Sequence, residues 1–313
     1  MNPKISVLII CYNQEDVIAR ALESVIKQKQ YVKNIIIYDD NSSDNTIGVI
    51  KNYSQSYPGL IDLDISHENL GIFLNIERKW KFTEGELIYD LAGDDEVPDG
   101  WFQKVTELII KNQINYKVER VAIFGNSKCI YPNGDEITFR NKSIQSSKSL
   151  LKLYQRGLIN NRGCVYSIEI MRQFINVSKG RSYIAENAQD SQLHIFTEKA
   201  FYLDAPANTY YTNIGVSSKM SIKTLLEHEN TMEYAFQFFD TIGIDYDQKD
   251  FRLIAFNKAR KRFLHKKTIY NFIKVVVNYI KAFDYSLQLK DLNVKKLLFT
   301  FIRRIPFRPK LRW

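Results

Sequence analysis

Two pairs of adjacent carboxylates stand where this chain is equipped for chemistry. Asp39-Asp40 closes the apolar run Ile35-Ile36-Ile37-Tyr38, and Asp94-Asp95 comes just after Glu86-Leu87-Ile88-Tyr89-Asp90-Leu91. Neighbouring carboxylates repel, so a fold keeps such a pair partly buried only when it meets a cation or a polar ligand. In open α/β sheets, ligands bind just outside the carboxyl ends of the strands. Two acidic pairs at strand ends therefore point to a nucleotide held together with a hard metal ion. The four histidines, His67, His194, His228 and His265, make no metal-ligand pattern.

The elements that must position these residues follow from periodicity. Ile5 to Ile10 reads as a buried strand ended by Cys11-Tyr12-Asn13. Val17, Ile18, Ala21, Leu22, Val25 and Ile26 then recur at helical spacing, with Glu15 and Asp16 expected in the first turn. Asn34 to Tyr38 is a second strand, and the capping-rich loop from Asp39 to Thr46 leads into a helix marked by Ile47, Ile50 and Tyr53. Ile61 to Ile65 is a third strand, Asn69-Leu70-Gly71 opens a helix to Phe82, and Glu86 to Leu91 is a fourth strand. Trp101, Phe102, Val105, Leu108 and Ile109 mark a further helix. This alternation predicts a doubly wound, mostly parallel α/β sheet. Beyond it, Val121 to Phe124 is strand-like, and Pro132-Asn133-Gly134-Asp135 signals a hairpin. Helical stretches near 147–156, 168–175 and 190–198 alternate with short apolar segments such as Phe201-Tyr202-Leu203. The expected organisation is a catalytic domain over 1–220 and a basic, mainly helical extension over 221–313.

Bulk properties narrow the class. A chain of 313 residues with 45% hydrophobic and 13% aromatic content can bury a substantial core. Cys11, Cys129 and Cys164 are widely spaced and odd in number, which fits a reducing, cytosolic compartment. The apolar N-terminal run is too short for a signal peptide, and no stretch approaches the roughly 18 apolar residues of a spanning helix. The net charge of +9 is split unevenly: residues 251–313 carry 17 Lys/Arg against two acids, +15, leaving 27 basic and 33 acidic groups, −6, for the rest. A basic end on a mildly acidic body implies an anionic surface as partner.

From Cys11 to Asp95 the chain resembles the family-2 inverting glycosyltransferases of the GT-A fold. The resemblance lies in an ordered set: Cys11-Tyr12-Asn13, then Tyr38-Asp39-Asp40-Asn41-Ser42-Ser43-Asp44-Asn45-Thr46, then Glu68-Asn69-Leu70-Gly71, then Glu84-Gly85-Glu86-Leu87-Ile88 leading to Gly93-Asp94-Asp95. It implies a GT-A-like sheet and a nucleotide-sugar donor, most often UDP-linked. Cys11, Tyr12 and Asn13 would line the nucleobase, and Asp40 would accept a hydrogen bond from the base edge. Asp94 falls at the ribose-contacting position and Asp95 at the metal position, with Mn²⁺ or Mg²⁺ as cofactor, because a leaving diphosphate needs a hard cation on carboxylate oxygens. The motif departs from strict Asp-x-Asp, since Ala92 and Gly93 precede the pair; Glu96 is a reserve ligand.

Inverting transfer also needs a carboxylate that deprotonates the acceptor hydroxyl. The resemblance places it at Asp190, at the start of a helix, with Glu186 as runner-up. Asn160-Asn161-Arg162-Gly163-Cys164 matches the acceptor-side loop, and Tyr210 to Ser218 the segment that closes over the diphosphate. There, Thr212 and Ile214 stand where relatives often carry arginine and histidine, and Lys219 is a substitute cation. The expected acceptor is a saccharide or lipid-linked saccharide of a bacterial surface polysaccharide, such as O-antigen or capsule.

The basic end interleaves Lys258, Arg260, Lys261, Arg262, Lys266 and Lys267 with Phe263 and Leu264, and runs from Leu297 through Arg303-Arg304 to Trp313. That mixture suits an anionic membrane surface and places the protein on the cytoplasmic face of the cell membrane. Two other readings compete. A nucleic-acid-binding protein is not expected, since no recognition motif accompanies the charge. An inactive scaffold is the other alternative, favoured by the altered metal motif.

Overall fold

The computed structural model describes residues 2–79, 82, 84–141, 162–178, 195–212, 259, 263 and 268–282. The chain divides into two compact units, Met1–Asp245 and Tyr246–Trp313. The first is built on an eight-stranded sheet: β1 (Ile5–Cys11), β2 (Val32–Asp39), β3 (Ile61–Ile65), β4 (Leu87–Ala92), β5 (Val121–Ile130), β6 (Glu136–Phe139), β7 (Val165–Ser167) and β8 (Lys199–Tyr211). Its order is β3-β2-β1-β4-β7-β5-β6, with β8 alongside β5. Strands β3, β2, β1 and β4 are mutually parallel, β7 runs antiparallel between β4 and β5, and β8 is parallel to β5. This is the GT-A-like α/β sheet anticipated from the alternation of elements.

β1 is an unbroken apolar run because both of its faces are covered, as parallel strands require. Val7, Ile9 and Cys11 share one face with Ile35, Ile37, Tyr89 and Leu91, and pack against the helices α1 (Ile18–Ile26), α2 (Thr46–Ser56) and α4 (Trp101–Lys111). Trp101 and Phe102 are fully buried there, and Phe102 meets Tyr89 edge-on at 5.1 Å between ring centroids. Leu8, Tyr38 and Ile88 face the other way, onto Ala122, Phe124, Tyr166 and the start of α5 (Ile168–Ser178). Helix α3 (Ile72–Lys79) is tied to the sheet by ions: Lys79 pairs with Asp90 at 2.7 Å, and Tyr166 donates its hydroxyl to the same carboxylate at 2.7 Å.

The middle of the chain is more regular than its sequence pattern. The apolar segment at Phe201-Tyr202-Leu203 is part of a 13-residue strand, β8, that passes through Pro206. A shift of register at Asn126 of β5, opposite Pro206, lets the pairing continue through a residue with no N–H to give. The hairpin at Asn133-Gly134 joins β5 to β6, with Gly134 at φ +84°. Of the second unit, α6 (Ile269–Ala282) is a helix with Val275 buried and Tyr270, Ile273 and Val277 exposed. Among the described residues, no helix is long and apolar enough to cross a membrane. The expected helices near 147–156 and at 190, and the boundary at 220, lie outside the described residues.

Candidate active site

The loops that carry the two acidic pairs leave the sheet at the same end, one on each side of β1. Ile10 lies opposite Tyr38 of β2 and opposite Ala92 of β4. At the next step the Asp40 N–H donates to the Cys11 carbonyl at 3.1 Å, and the Gly93 N–H donates to the Ile10 carbonyl at 3.0 Å. Gly93 must lack a side chain, since a Cβ would fall 2.3 Å from Gln14 Oε1 and 2.9 Å from the Ile18 side chain. Asp40 and Asp94-Asp95 are thus brought to one rim.

On the β2 side, the first aspartate organises the loop and the second reaches across it. Asp39 is fully buried and accepts from the Ser42 N–H at 2.8 Å and the Ser42 hydroxyl at 2.5 Å, while the Cys11 thiol points to its Oδ2 at 3.4 Å. Burial and the Asp39 charge push the Cys11 thiol far above its ordinary range, so it is a packed, unreactive group. Asp40 is 2% exposed and accepts from the N–H groups of Leu70 and Gly71 at 2.8 and 2.9 Å. This explains the Asn69-Leu70-Gly71 turn: Gly71 sits at φ +80°, where a residue without Cβ is at ease. Asn13 and Asn41 also adopt positive φ, 49° and 59°, which asparagine tolerates better than most residues. Asn13 is exposed and laces the β1 loop to the β2 loop, donating its N–H to Ser42 Oγ at 2.9 Å and accepting from the Ser43 N–H at 2.8 Å. Tyr12 is half-buried beside it.

On the β4 side, Asp95 is 4% exposed; its Oδ2 accepts from Asn208 Nδ2 at 3.2 Å, while its Oδ1 is buried with no hydrogen-bond partner. Burial, then the adjacent charge of Asp94, pushes Asp95 up to about 7, against the opposing pulls of Asn208 and Arg162. Burial also raises Asp94, opposed by Arg20 and Arg162. A buried carboxylate oxygen left without a donor is a cost the fold carries unless something cationic meets it.

Sequence reasoning missed the residues that hold this motif in place. Arg20, Ser24 and Gln28 recur every four residues from α1 onward, and each grips the loop after β4. Arg20 donates to the Asp94 carbonyl at 2.8 Å, Ser24 Oγ accepts from the Val97 N–H at 3.0 Å, and Gln28 donates to the Pro98 carbonyl and accepts from the Phe102 N–H, both at 3.1 Å. Polar residues at helical spacing on an otherwise apolar helix were the available signal. Glu96, the reserve ligand, is committed elsewhere: it pairs with Arg20 at 2.9 Å, accepts from the Tyr211 hydroxyl at 2.7 Å, and its backbone bridges Thr209. Burial and that bond to Glu96 push Tyr211 up to about 12. Asn208 and Tyr211 had no signal in spacing; only the pairing of β8 brings them here. Thr212 closes the strand by donating its N–H to the Ile130 carbonyl at 2.9 Å. Asp190, Glu186, Ile214 and Lys219 lie outside the described residues.

A sequence model described as "Glycosyl transferase family 2" matches residues 6–176, the stretch that contains both acidic pairs and β1 to α5. The chain belongs to this family. It is a glycosyltransferase. A processive diacylglycerol beta-glycosyltransferase of Mycoplasma pneumoniae is 23% identical over 90% of this chain and 84% of its own length. The minor teichoic acid biosynthesis protein GgaB of Bacillus subtilis is 30% identical, over 39% of this chain and 14% of its own length. Among solved structures, S. aureus TarS 1-349 in complex with UDP-GlcNAc superposes with a TM-score of 0.63 at 15% identity, over 88% of this chain and 79% of that one. The mannosyltransferase PcManGT of Pyrobaculum calidifontis, in complex with GDP-Man and Mn²⁺, gives 0.50 at 12% identity, over 97% and 80%. At these identities the structures share the fold with this family-2 chain.

Proposed function

We propose that this glycosyltransferase moves a sugar, with inversion, from a UDP-linked donor to the hydroxyl of a saccharide or lipid-linked saccharide, in the assembly of a bacterial surface polysaccharide. The carrying observation is the rim where Asp40 and Asp94-Asp95 flank the end of β1, with Asp95 Oδ1 buried and unpartnered. Family-2 relatives named for glycolipid and teichoic acid synthesis support the acceptor class, and the UDP-GlcNAc complex of TarS supports the donor.

The chain's own residues divide the work. Tyr12 offers an aromatic face to the base. Asp40, fixed by Leu70 and Gly71, keeps a further lone pair on each oxygen for a base N–H. Asp94 meets the ribose. The residues present fit a divalent cation at Asp95, whose orphaned hard oxygen suits Mn²⁺ or Mg²⁺; among the described residues no group of three ligand-type side chains converges, so the donor's phosphate oxygens would complete the set. Such a cation would supply neutralisation of charge on the leaving diphosphate. Asp190 takes the proton of the acceptor hydroxyl on the face opposite the leaving group.

A membrane location is part of this reading. The +15 charge of residues 251–313 and the exposed Tyr270, Ile273 and Val277 stripe beside Lys274 on α6 support contact with anionic lipid on the inner face of the membrane.

The test is a donor screen on purified full-length protein, reading nucleoside diphosphate release with Mn²⁺ and with a chelator. Turnover of a UDP-sugar should require the metal and be lost in Asp95→Asn. Asp190→Asn should lower turnover by at least about 100-fold while sparing donor affinity, as expected for a general base. Equal turnover with chelator present, or unchanged turnover in Asp95→Asn, would overturn the metal assignment; lost donor affinity in Asp190→Asn would move the base elsewhere.

A further inference from the structure

The diphosphate that leaves in this reaction needs more positive charge than one divalent ion gives. Asp94 and Asp95 together cancel the charge of such an ion, so the phosphates must find a cation elsewhere on the protein. Arg20 is committed: it pairs with Glu96, donates to the Asp94 carbonyl, and stacks on Tyr211 with its guanidinium carbon 3.7 Å from the ring centroid.

A second arginine sits on the opposite side of the same strand. Arg162 lies with its guanidinium carbon 3.7 Å over the centroid of the Tyr210 ring. Tyr210 and Tyr211 are consecutive on β8, so their rings leave the strand on opposite faces, and Asn208, the partner of Asp95, shares the face of Tyr210. The backbone agrees. β7 pairs antiparallel with β4, with Leu87 opposite Ser167 and Tyr89 opposite Val165; carried forward, that register sets Arg162 level with Ala92, just before Gly93 and Asp94. The intervening Gly163, at φ +77°, is pressed against β8, where a Cβ would stand 2.4 Å from the Ala207 carbonyl oxygen. Arg162 itself is solvent-exposed, and its charge is felt at both Asp94 and Asp95.

We propose that Arg162 is the donor-diphosphate cation of this enzyme, held by its stack on Tyr210 and by the Gly163 turn at the rim beside Asp94-Asp95. The proposal rests on the nucleotide-sugar reading above. In the transfer, the bond from the anomeric carbon to the phosphate oxygen breaks and its electron pair stays on the diphosphate. A bond from the acceptor oxygen to the anomeric carbon forms, and the acceptor proton goes to the carboxylate base. Arg162 meets the charge gained by the diphosphate. Stacking uses a face of the guanidinium and not its in-plane N–H donors, the groups that recognise phosphate oxygens.

The experiment compares uridine, UMP and UDP binding to full-length protein in Mn²⁺ by calorimetry. Wild type should gain affinity with each phosphate. Arg162→Gln should bind uridine within about twofold of wild type but lose about tenfold or more for UDP, since a charge-assisted contact is removed from the phosphates alone. Arg162→Lys, which keeps the charge, should retain most of the UDP affinity. If Arg162→Gln fails to fold, the Lys variant decides: a purely structural arginine would cost uridine and UDP affinity alike. UDP binding unchanged in Arg162→Gln overturns the proposal. Should wild type prefer GDP, the uracil reading fails while the same comparison with guanosine, GMP and GDP still decides Arg162. A wild type that gains nothing from the second phosphate on either base overturns both.

Discussion

Asp95 is the residue where structure and chemistry conflict most openly. Its folded-state value of about 7 stands above the ordinary carboxylate value of 3.8, because burial and Asp94 disfavour the charge. A raised value means that the folded protein keeps a proton the unfolded chain releases. The resulting stability is fully present below about pH 4 and is lost as pH rises through about 7. Metal-free wild type should therefore be less stable than metal-free Asp95→Asn at pH 8, by an amount on the order of 3 kcal/mol, and the gap should shrink towards pH 5. Urea unfolding of both proteins in chelator at the two pH values measures it; a gap independent of pH would show that Asp95 is not held in a charge-averse site. Asp94, Arg162, Asn208 and Tyr89 are the groups that face Asp95 and set the size of this effect. Asn208 is the neighbour most exposed to a simple test of packing, since it donates at 3.2 Å to the oxygen that is partnered.

At the scale of elements, α1 is the brace of the site. Gln28 spans the Pro98 carbonyl and the Phe102 N–H, so it fixes where the metal-motif loop ends and α4 begins. Gln28→Ala leaves both buried groups unpaired and should cost about 2–4 kcal/mol of stability, with a fall in donor turnover larger than the fall in uridine affinity. Thermal melts and single-substrate kinetics check both parts, and unchanged turnover in a stable variant would contradict the brace. The strands and helices up to α4 were legible in the sequence because apolar period and capping residues agree there: β3 matches at both ends, and β1, β2 and β4 differ by one or two residues. The acidic pairs were legible for the same reason, since a strand end fixes where they emerge. β8 was not, because Asp204, Pro206 and Asn208 break its apolar pattern, and long-range pairing with β5 overrides local preference. The same pairing hides Asn208 and Tyr211 from any reading of spacing. Arg20 belongs to a helix whose apolar stripe dominated its pattern, so its ion pair with Glu96 had no local sign.

For the whole molecule, charge divides where location should be decided. Residues 251–313 carry +15 and the rest −6, and attraction to anionic lipid is worth on the order of 1 kcal/mol per basic residue at the surface, weakened by salt. Removing residues 297–313 should release the protein from anionic vesicles in flotation while sparing donor hydrolysis; full-length protein that ignores such vesicles at low salt would end the membrane reading. The central claim is that a nucleoside diphosphate and a divalent ion share the rim between β2 and β4. Diffraction near the manganese absorption edge, from crystals grown with UDP and Mn²⁺, tests it most directly. The expected result is an anomalous peak within about 2.0–2.3 Å of Asp95 Oδ1, with the uracil beside Tyr12 and Asp40. A manganese ion held without Asp95, or a nucleotide bound away from the end of β1, would contradict it.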